Sequence, residues 1–184
     1  MNNTAYYTYL LRQHYGYDTF RSIQLDIIQS IGSGHDTLGL MPTGGGKSIT
    51  FQIPALAMDG VCIVVSPLIA LMKDQVQHLK ERGIKAEAVY SGLSKKETHQ
   101  ILDNAVFGAV KFLYVSPERL SNRLFLAKLY YMKVCFITVD EAHCISQWGY
   151  DFRPSFLRIA QVRKLFPNVP VLARHTGATG VWQA

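Results

Sequence analysis

The sequence predicts an α/β fold in which a parallel sheet is flanked by helices on both faces. Two observations lead to this prediction. Apolar runs rich in β-branched residues alternate with segments of helical periodicity, and most of these runs are nearly continuous. Continuous apolar runs are typical of strands buried on both faces, and their alternation with helices is typical of parallel sheets. The predicted strands cover residues 36–41, 61–66, 86–91, 110–116, 134–139 and 169–173.

Two of the helices between these strands are marked by apolar residues that recur on one face. Gly32 and Gly34 should end the first helix, and Gly83 should end the second. The first stripe consists of Ile23, Ile27, Ile28 and Ile31, and the second of Leu68, Leu71, Met72, Val76 and Leu79.

Length and composition indicate one globular domain. The chain has 184 residues, of which 48% are hydrophobic and 17% charged, so it can bury a full core and is not a disordered segment. A Tyr-rich helical segment over residues 1–21 should pack on the main domain, residues 22–173. The tail, residues 174–184, shows neither helical nor strand periodicity and is interpreted as a divergent or truncated edge.

Charge and cysteine content indicate which partners and which cellular location to expect. The excess of 19 basic over 13 acidic residues gives +6, which suits a nucleic-acid partner and equally an ordinary basic protein. No apolar run approaches the ~18 residues of a membrane span, and the N-terminus lacks the features of a secretion signal, so no membrane partner is expected. Cys62 and Cys135 lie in apolar runs and should be core residues, as should Cys144. We expect reduced thiols, a cytoplasmic location (nucleoid-associated in a bacterium) and no zinc site.

The stretch MPTGGGKS follows a predicted strand and precedes a predicted helix, which is the setting of a phosphate-binding loop. Its glycines allow backbone N–H groups to face phosphates, Lys47 would reach the β- and γ-phosphates, and Ser48 would ligate Mg²⁺. Met41 stands where the strict motif has glycine, and a glycine-rich turn with a chance lysine is the alternative. The predicted nucleotide-binding residues of this loop are Pro42, Thr43, Gly44, Gly45, Gly46, Lys47 and Ser48.

Two acidic residues, Asp140 and Glu141, follow the apolar run VCFITV. Asp140 at a strand's carboxyl end can hold the same Mg²⁺ as Ser48, and Glu141 can orient or deprotonate an attacking water. Alone, the pair would be a solvated turn. Together with the phosphate loop it predicts nucleotide hydrolysis, with Lys47, Asp140 and Glu141 as catalytic residues.

The loop CISQWGYDFRP directly after DEAH crowds aromatic side chains beside an arginine. Such a loop suits stacking and cation–π contacts with single-stranded DNA, and the alternative is that Trp148 and Phe152 pack as a core plug. The residues assigned to DNA binding here are Gln147, Trp148, Tyr150, Phe152 and Arg153.

Together, MPTGGGKS, VVSPLIALMKDQV, YVSPERL and DEAHCISQWGYDFRP resemble the first motor domain of RecQ-type DNA helicases of superfamily 2. The resemblance extends from about residue 10 to about residue 173. It implies a RecA-like P-loop domain that uses ATP and Mg²⁺, binds DNA, and works with a second RecA-like domain that closes over ATP.

The resemblance also implies roles for individual residues. GYDTFRSIQ is similar to the family's adenine-recognition motif, so Gln24 would read adenine, Tyr17 would stack on the base and Arg21 would lie near the nucleotide. Without the resemblance, Gln24 would be placed on an exposed helix face. His143 would link the nucleotide site to the aromatic loop, and a metal role is not expected because no second histidine or cysteine stands at ligand spacing.

Ser66 and Ser116 each precede a proline at a predicted strand exit, where a serine could cap a helix. In the family these segments lie along DNA, which makes Ser66, Lys73 and Arg119 candidate DNA contacts; ordinary helix capping is the alternative. The chain departs from the family at Tyr150, where histidine is common, and after residue 173, where RHTGATG replaces a Thr-Ala run.

We therefore expect the N-terminal motor half of a RecQ-type, ATP-dependent DNA helicase. The isolated chain should bind nucleotide weakly and hydrolyse it poorly, since the second motor domain contributes to the site. An ATP- or DNA-binding module without unwinding activity is the alternative, and a small phosphotransferase is a weaker one.

Overall fold

The computed structural model of the chain describes residues 3–44, 46–145, 153–177 and 180–183. Its strands are β1 Thr37–Met41, β2 Val61–Val65, β3 Ala86–Val89, β4 Phe112–Val115, β5 Val134–Val139, β6 Val171–Thr176 and β7 Gly180–Gln183. Its helices are α1 Thr4–Tyr15, α2 Gln24–Gly32, α3 Ile49–Ala57, α4 Ile69–Glu81, α5 Lys95–Val106, α6 Arg123–Leu129 and α7 Ile159–Leu165. Short 3₁₀ helices cover Pro117–Ser121, Ala142–Ile145 and Pro154–Arg158.

The seven strands form one sheet in the order β3-β4-β2-β5-β6-β1-β7. All neighbouring pairs are parallel except β1 and β7, which run antiparallel. The predicted α/β fold is confirmed. The phosphate loop after β1 and the acidic residues after β5 therefore emerge at the same edge of the sheet, separated by β6.

Alternate residues of the central strands enter two different cores. Val61, Ile63 and Val65 of β2 face a core that includes residues of α5, α6 and α7. Cys62 and Val64 face the opposite core, which includes residues of α2, α3 and α4. Because successive side chains of a strand point to opposite faces, a fully apolar run is needed where both faces are covered.

The N-terminal helix α1 packs on the outside of α2 and α3. Leu10 and Leu11 are buried in a cluster with Ile28 of α2 and with Ile53 of α3. Tyr6 and Tyr9 of the same helix remain exposed. None of the helices in the described ranges is long and apolar enough to cross a bilayer.

The burial of individual residues confirms some of the local predictions and corrects others. The first stripe is confirmed for Ile27, Ile28 and Ile31, which are buried on α2. In the second stripe Leu68 is 48% exposed and precedes α4, whose buried residues are Met72, Val76 and Leu79. All three cysteines are buried, as expected for core residues.

The tail contains more regular structure than the sequence indicated. Strand β6 continues through Thr176, three positions beyond the predicted end, and β7 was not predicted. The added strand pairs with β1 from Thr37↔Gln183 to Leu40↔Gly180, so it covers what would otherwise be the edge of the sheet.

Candidate nucleotide-binding site

The phosphate loop connects β1 to α3 at the carboxyl edge of the sheet. Gly44 and Gly46 have φ angles of 76° and 70°, a region that favours glycine. Pro42, Thr43 and Gly44 are exposed in this loop, and Gly45 lies outside the described residues. The following helix begins at Ile49 with Ser48 as its N-cap residue, so the positive end of α3 adjoins the loop.

The side chain of Lys47 turns toward the neighbouring strand β6. Its Nζ donates to Thr176 Oγ1 at the end of that strand. Thr176 belongs to the tail segment that the sequence left without a role. Phosphates in the loop would therefore compete with a hydroxyl for this ammonium group.

Asp140 lies at the carboxyl end of β5 and is buried, since 6% of the surface of the whole residue is exposed. Its Oδ1 accepts the backbone N–H of Glu141 at 3.1 Å and lies 2.9 Å from Nη2 of Arg174. Arg174 Nη1 also donates to the carbonyl oxygen of Lys47 at 2.6 Å. One guanidinium thus contacts both the phosphate loop and Asp140, so the two motifs lie side by side.

Arg174 is almost fully buried, and it is a site residue that sequence reasoning missed. Its guanidinium carbon lies 4.4 Å from the centre of the Phe51 ring, and its Nε has no hydrogen-bond partner among the described residues. In the sequence it appeared only as a departure from the family pattern. The available signal was its position directly after the predicted strand 169–173. In the structure this strand, β6, includes Arg174 and runs beside β5, which ends just before Asp140.

Glu141 adopts a φ angle of 54°, which is uncommon for a residue other than glycine. Backbone strain of this kind is found at functional sites, where the surrounding structure holds it in place. Glu141 Oε2 lies 3.4 Å from Nδ1 of His143. The predicted water-positioning carboxylate therefore lies beside the histidine of the same motif.

His143 has a second partner that the sequence did not predict. Its Nδ1 lies 2.9 Å from Nδ1 of His175 on β6. Burial lowers the pKa of His175 below its usual value of 6.5; His143 and Lys47 lower it as well, and Glu141 acts in the opposite direction. Local spacing along the sequence could not show this contact, because the two histidines are 32 residues apart.

Gln24 is 2% exposed, which contradicts its placement on an exposed helix face. Its Oε1 accepts the backbone N–H of Arg21 at 2.8 Å, and its Nε2 donates to the carbonyl of Gly46 at 3.2 Å. The guanidinium of Arg21 lies 5.5 Å from the centre of the half-exposed Tyr17 ring. The predicted adenine-binding residues are therefore adjacent to each other and to the phosphate loop.

The candidate DNA contacts after β2 and β4 show a different arrangement from the one predicted. Neither serine side chain caps a helix. The N-cap residue of α4 is Leu68, and Ser116 is the N-cap residue of the 3₁₀ helix Pro117–Ser121 but makes no side-chain cap bond. The hydroxyls of Ser66 and Ser116 are buried without partners within the described part of the chain. Side-chain capping by these two serines is therefore not found, because both hydroxyls are buried at the ends of β2 and β4.

Lys73 and Arg119 converge on Tyr90, which follows β3. Lys73 Nζ lies 4.9 Å from the centre of the Tyr90 ring, and Arg119 Nη2 donates to the Tyr90 carbonyl at 2.8 Å. Tyr90 was read only as part of a strand. The structure thus brings two of the candidate DNA contacts to one residue, Lys73 to its ring and Arg119 to its backbone carbonyl.

Most of the aromatic loop lies outside the described residues. The predicted DNA contacts in that part are Gln147, Trp148, Tyr150 and Phe152. Arg153 is described, and its backbone N–H donates to the carbonyl of Cys144 at 2.9 Å. The chain therefore returns from this loop to the DEAH segment from which it left.

The fold and the site define a P-loop domain in which a DEAH segment faces the phosphate loop. A family model for the DEAD/DEAH box helicase matches residues 21–174, and the chain belongs to this family. Within it, the sequence is similar to RecQ helicases, as the motifs predicted. It is 44% identical over 164 residues to "ATP-dependent DNA helicase RecQ" of Haemophilus influenzae, covering 89% of this chain and 26% of the relative.

Two Bacillus subtilis proteins are also similar. The chain is 46% identical to "Probable ATP-dependent DNA helicase RecS" over 92% of its own length and 34% of the relative's. It is 46% identical to "ATP-dependent DNA helicase RecQ" of the same organism over 89% of this chain and 28% of the relative. The chain thus spans about a quarter to a third of the length of these relatives.

Solved structures confirm the RecA-like helicase fold. The DUF1998 helicase MrfA bound to DNA and AMPPNP has a TM-score of 0.75 at 17% identity and covers 92% of this chain and 26% of that one. A hypothetical ATP-dependent RNA helicase from Sulfolobus tokodaii has a TM-score of 0.67 at 22% identity, covering 97% of this chain and 51% of that one. At these identities the likeness concerns the fold alone.

Proposed function

We propose that the chain is the first motor domain of a RecQ-type helicase, which binds Mg²⁺-ATP and single-stranded DNA. In the full-length protein it would couple ATP hydrolysis to DNA unwinding. The observation that best supports this function is the convergence of the phosphate loop and the DEAH segment. The Arg174 guanidinium is within hydrogen-bond distance of both the Lys47 carbonyl and Asp140.

Nucleotide would bind along the loop between β1 and α3. Backbone N–H groups of the glycines and the N-terminus of α3 suit the phosphates, and Lys47 would exchange Thr176 for the β- and γ-phosphates. Gln24 would pair with adenine, with Tyr17 stacked on the base and Arg21 beside it. The contact of Gln24 with Gly46 supports this assignment, because it connects base recognition directly to the phosphate loop.

The donor atoms present fit Mg²⁺. The Ser48 hydroxyl and the Asp140 carboxylate are oxygen ligands of the kind this ion prefers. When bound, the ion would neutralise charge on the β- and γ-phosphates. Because the same carboxylate pairs with Arg174, Asp140 must share its charge with that guanidinium or be released from it to serve as a ligand.

Glu141 would position the attacking water and accept its proton. The carboxylate is about one quarter exposed, so solvent can reach it. A second RecA-like domain of the longer protein would complete the site. Hydrolysis by the isolated chain should therefore be slow.

DNA would lie across the ends of β2, β3 and β4 and along the aromatic loop. Lys73, Arg119 and Arg153 supply positive charge, and Trp148, Tyr150 and Phe152 are the proposed stacking residues. Gln147 and Ser66 would add polar contacts, and His143 would connect this surface to Glu141. A cytoplasmic location would suit this function.

The relatives' names favour a motor over a module that only binds ATP or DNA, and over a phosphotransferase. Calorimetric titration of the chain with Mg²⁺-ATP tests the nucleotide site. Lys47→Ala should abolish measurable binding, whereas Lys164→Ala, an exposed residue at the far end of α7, should leave it unchanged. Equal binding by the parent and Lys47→Ala would reject the assignment.

Motor function requires a longer chain that includes the native downstream sequence. There, single-stranded DNA should stimulate ATP hydrolysis, Lys47→Ala should abolish turnover, and Trp148→Ala should mainly remove the stimulation. If DNA leaves the rate of the intact protein unchanged, the motor proposal fails and the binding module remains.

A further inference from the structure

We propose that Glu141, His143 and His175 form a binding site for one divalent transition-metal ion of the Zn²⁺ class. The site is distinct from the proposed Mg²⁺ ligands Ser48 and Asp140. It combines the DEAH segment after β5 with a histidine on the neighbouring strand β6, which the local spacing of histidines along the sequence did not suggest.

The geometry of the three side chains supports this site. One potential ligand atom from each side chain lies within 4.8 Å of those from the other two. The two Nδ1 atoms are 2.9 Å apart, and Glu141 Oε2 is 3.4 Å from His143 Nδ1. Around a tetrahedral Zn²⁺ with bonds of about 2.0–2.1 Å, ligand atoms are about 3.3 Å apart. Small side-chain rotations would therefore bring all three onto one ion.

The chemistry of the ligands selects the kind of ion. Imidazole nitrogens suit Zn²⁺, Co²⁺, Ni²⁺ and Cu²⁺, whereas Mg²⁺ prefers oxygen. Two histidines and one glutamate make the ligand set of many zinc sites that keep a fourth position open for water. About one quarter of the Glu141 and His143 side chains is exposed, so an ion can enter from solvent.

The charges around the site influence how tightly it would hold a cation. The positive charge of Lys47 acts against binding a cation, and the Glu141 carboxylate opposes that effect. We therefore expect a site of moderate affinity that is filled reversibly.

A histidine pair held by a shared proton is the alternative explanation of the 2.9 Å contact. In that arrangement one Nδ1 carries the proton and the other accepts it, and no ion is required. The two explanations differ in what a metal titration should show, since a proton-sharing pair alone would not take up one equivalent of Co²⁺ or Zn²⁺.

The test is a titration of the chelator-free, reduced chain with Co²⁺, followed by displacement with Zn²⁺. One equivalent of Co²⁺ should produce an absorption band stronger than that of the hydrated ion, and Zn²⁺ should remove it. Even changes outside the ligands of a metal site cost about 10–100-fold in affinity, so loss of a ligand in His175→Ala should weaken binding roughly 100-fold. His99→Ala, an exposed histidine on α5, is the matched control and should bind as the parent does.

Two further variants keep the result interpretable if His175→Ala does not fold. Glu141→Gln keeps the side-chain shape but removes the charge, and it should also weaken binding. Cys144→Ser tests a competing ligand, because Cys144 Sγ lies 3.8 Å from His143 Nε2. Retained binding in Glu141→Gln and His175→Ala, loss in Cys144→Ser, or no saturable binding by the parent would overturn the proposal.

Occupation of the site would withdraw Glu141 from water, a consequence that rests on the proposed function. Zn²⁺ should then inhibit ATP hydrolysis by the longer protein, and excess chelator should restore it. The metal titration is read without nucleotide, so failure of Mg²⁺-ATP binding would reject the proposed function and leave the metal site standing.

Discussion

Nη2 of Arg174 lies 2.9 Å from Oδ1 of Asp140, and both side chains are buried, at 3% and 8% exposure. The same guanidinium donates to the carbonyl of Lys47. A cation supplied by the chain thus neutralises the carboxylate that is proposed to hold Mg²⁺. We therefore expect both stability and the proposed nucleotide binding to depend on this pair of charges.

We expect Arg174→Met to destabilise the chain by about 3–5 kcal/mol, because it leaves a buried carboxylate without its partner. Methionine preserves most of the packing on Phe51. Mg²⁺ should recover part of the lost stability, since the unpaired Asp140 becomes a better cation ligand. Urea unfolding with and without Mg²⁺ measures both effects.

Arg123→Met, at an exposed position on α6, is the control and should change stability by less than about 0.5 kcal/mol. If Arg174→Met is as stable as the parent and Mg²⁺ does not change its stability, the ion pair contributes neither to stability nor to the binding of Mg²⁺.

Gln24→Ala should reduce the preference for ATP over GTP. A bidentate amide–adenine pair discriminates by about 1–3 kcal/mol, which corresponds to roughly 5–150-fold in affinity. Loss of the amide should also destabilise the free chain by about 1–3 kcal/mol, because the Arg21 N–H and the Gly46 carbonyl lose their partner. Competition titrations with ATP and GTP measure the preference, and Gln100→Ala on α5 is the exposed control.

If Gln24→Ala binds ATP and GTP in the same ratio as the parent, the residue has only a structural role. The two effects are separable, because a purely structural change would weaken binding of both nucleotides equally.

The sequence predicted the interior of the fold well because burial on both faces leaves a simple signature. Phe112 to Val115 is an uninterrupted apolar run, and all four residues of β4 are buried. Strand ends were less certain, because they depend on pairing with neighbours. The final strand β7 has only four residues and no long apolar run, and the structure shows it paired with β1 at the end of the sheet.

The positions of Lys47 and Asp140 at the carboxyl edge of the sheet were predictable, because each lies in a motif that follows an apolar strand; their roles stay predictions. The site was not predictable where residues distant in the sequence meet. Arg174 and His175 were departures from a pattern, yet they contact Asp140 and His143 across neighbouring strands. Tyr90 was missed for the same reason, since its partners Lys73 and Arg119 come from two other segments.

Gly60→Ala should be more destabilising than Gly108→Ala, although both residues have positive φ angles of 102° and 78°. A Cβ on Gly60 would lie 2.4 Å from the backbone carbonyl oxygen of Lys133, whereas one on Gly108 would meet nothing within 4 Å. We expect about 1–2 kcal/mol for Gly108→Ala from backbone strain and about 1–3 kcal/mol more for Gly60→Ala. Urea denaturation gives both values, and equal losses would show that β2 and β5 shift apart freely.

The capping box at the start of α5 should make stability depend on pH. Ser94 Oγ accepts the Glu97 backbone N–H at 3.2 Å, and the Ser94 N–H donates to Glu97 Oε2 at 2.9 Å. The Ser94 side chain and backbone lower the pKa of Glu97 below its usual value of 4.5. Because the folded pKa is the lower one, the stabilisation is present above the unfolded pKa and is lost as the pH falls through the folded pKa.

Thermal unfolding of Glu97→Gln at neutral pH and at a pH well below 4.5 tests this dependence. The variant should melt a few degrees below the parent at neutral pH and together with it in acid. Ser94→Ala should lower the melting temperature at both pH values, because the serine hydroxyl also caps the Glu97 N–H when the carboxyl is protonated. Glu118→Gln, an exposed glutamate outside the capping box, is the control and should shift the parent's pH profile little. A constant gap between Glu97→Gln and the parent across this pH range would mean that the carboxylate's charge contributes nothing to the cap.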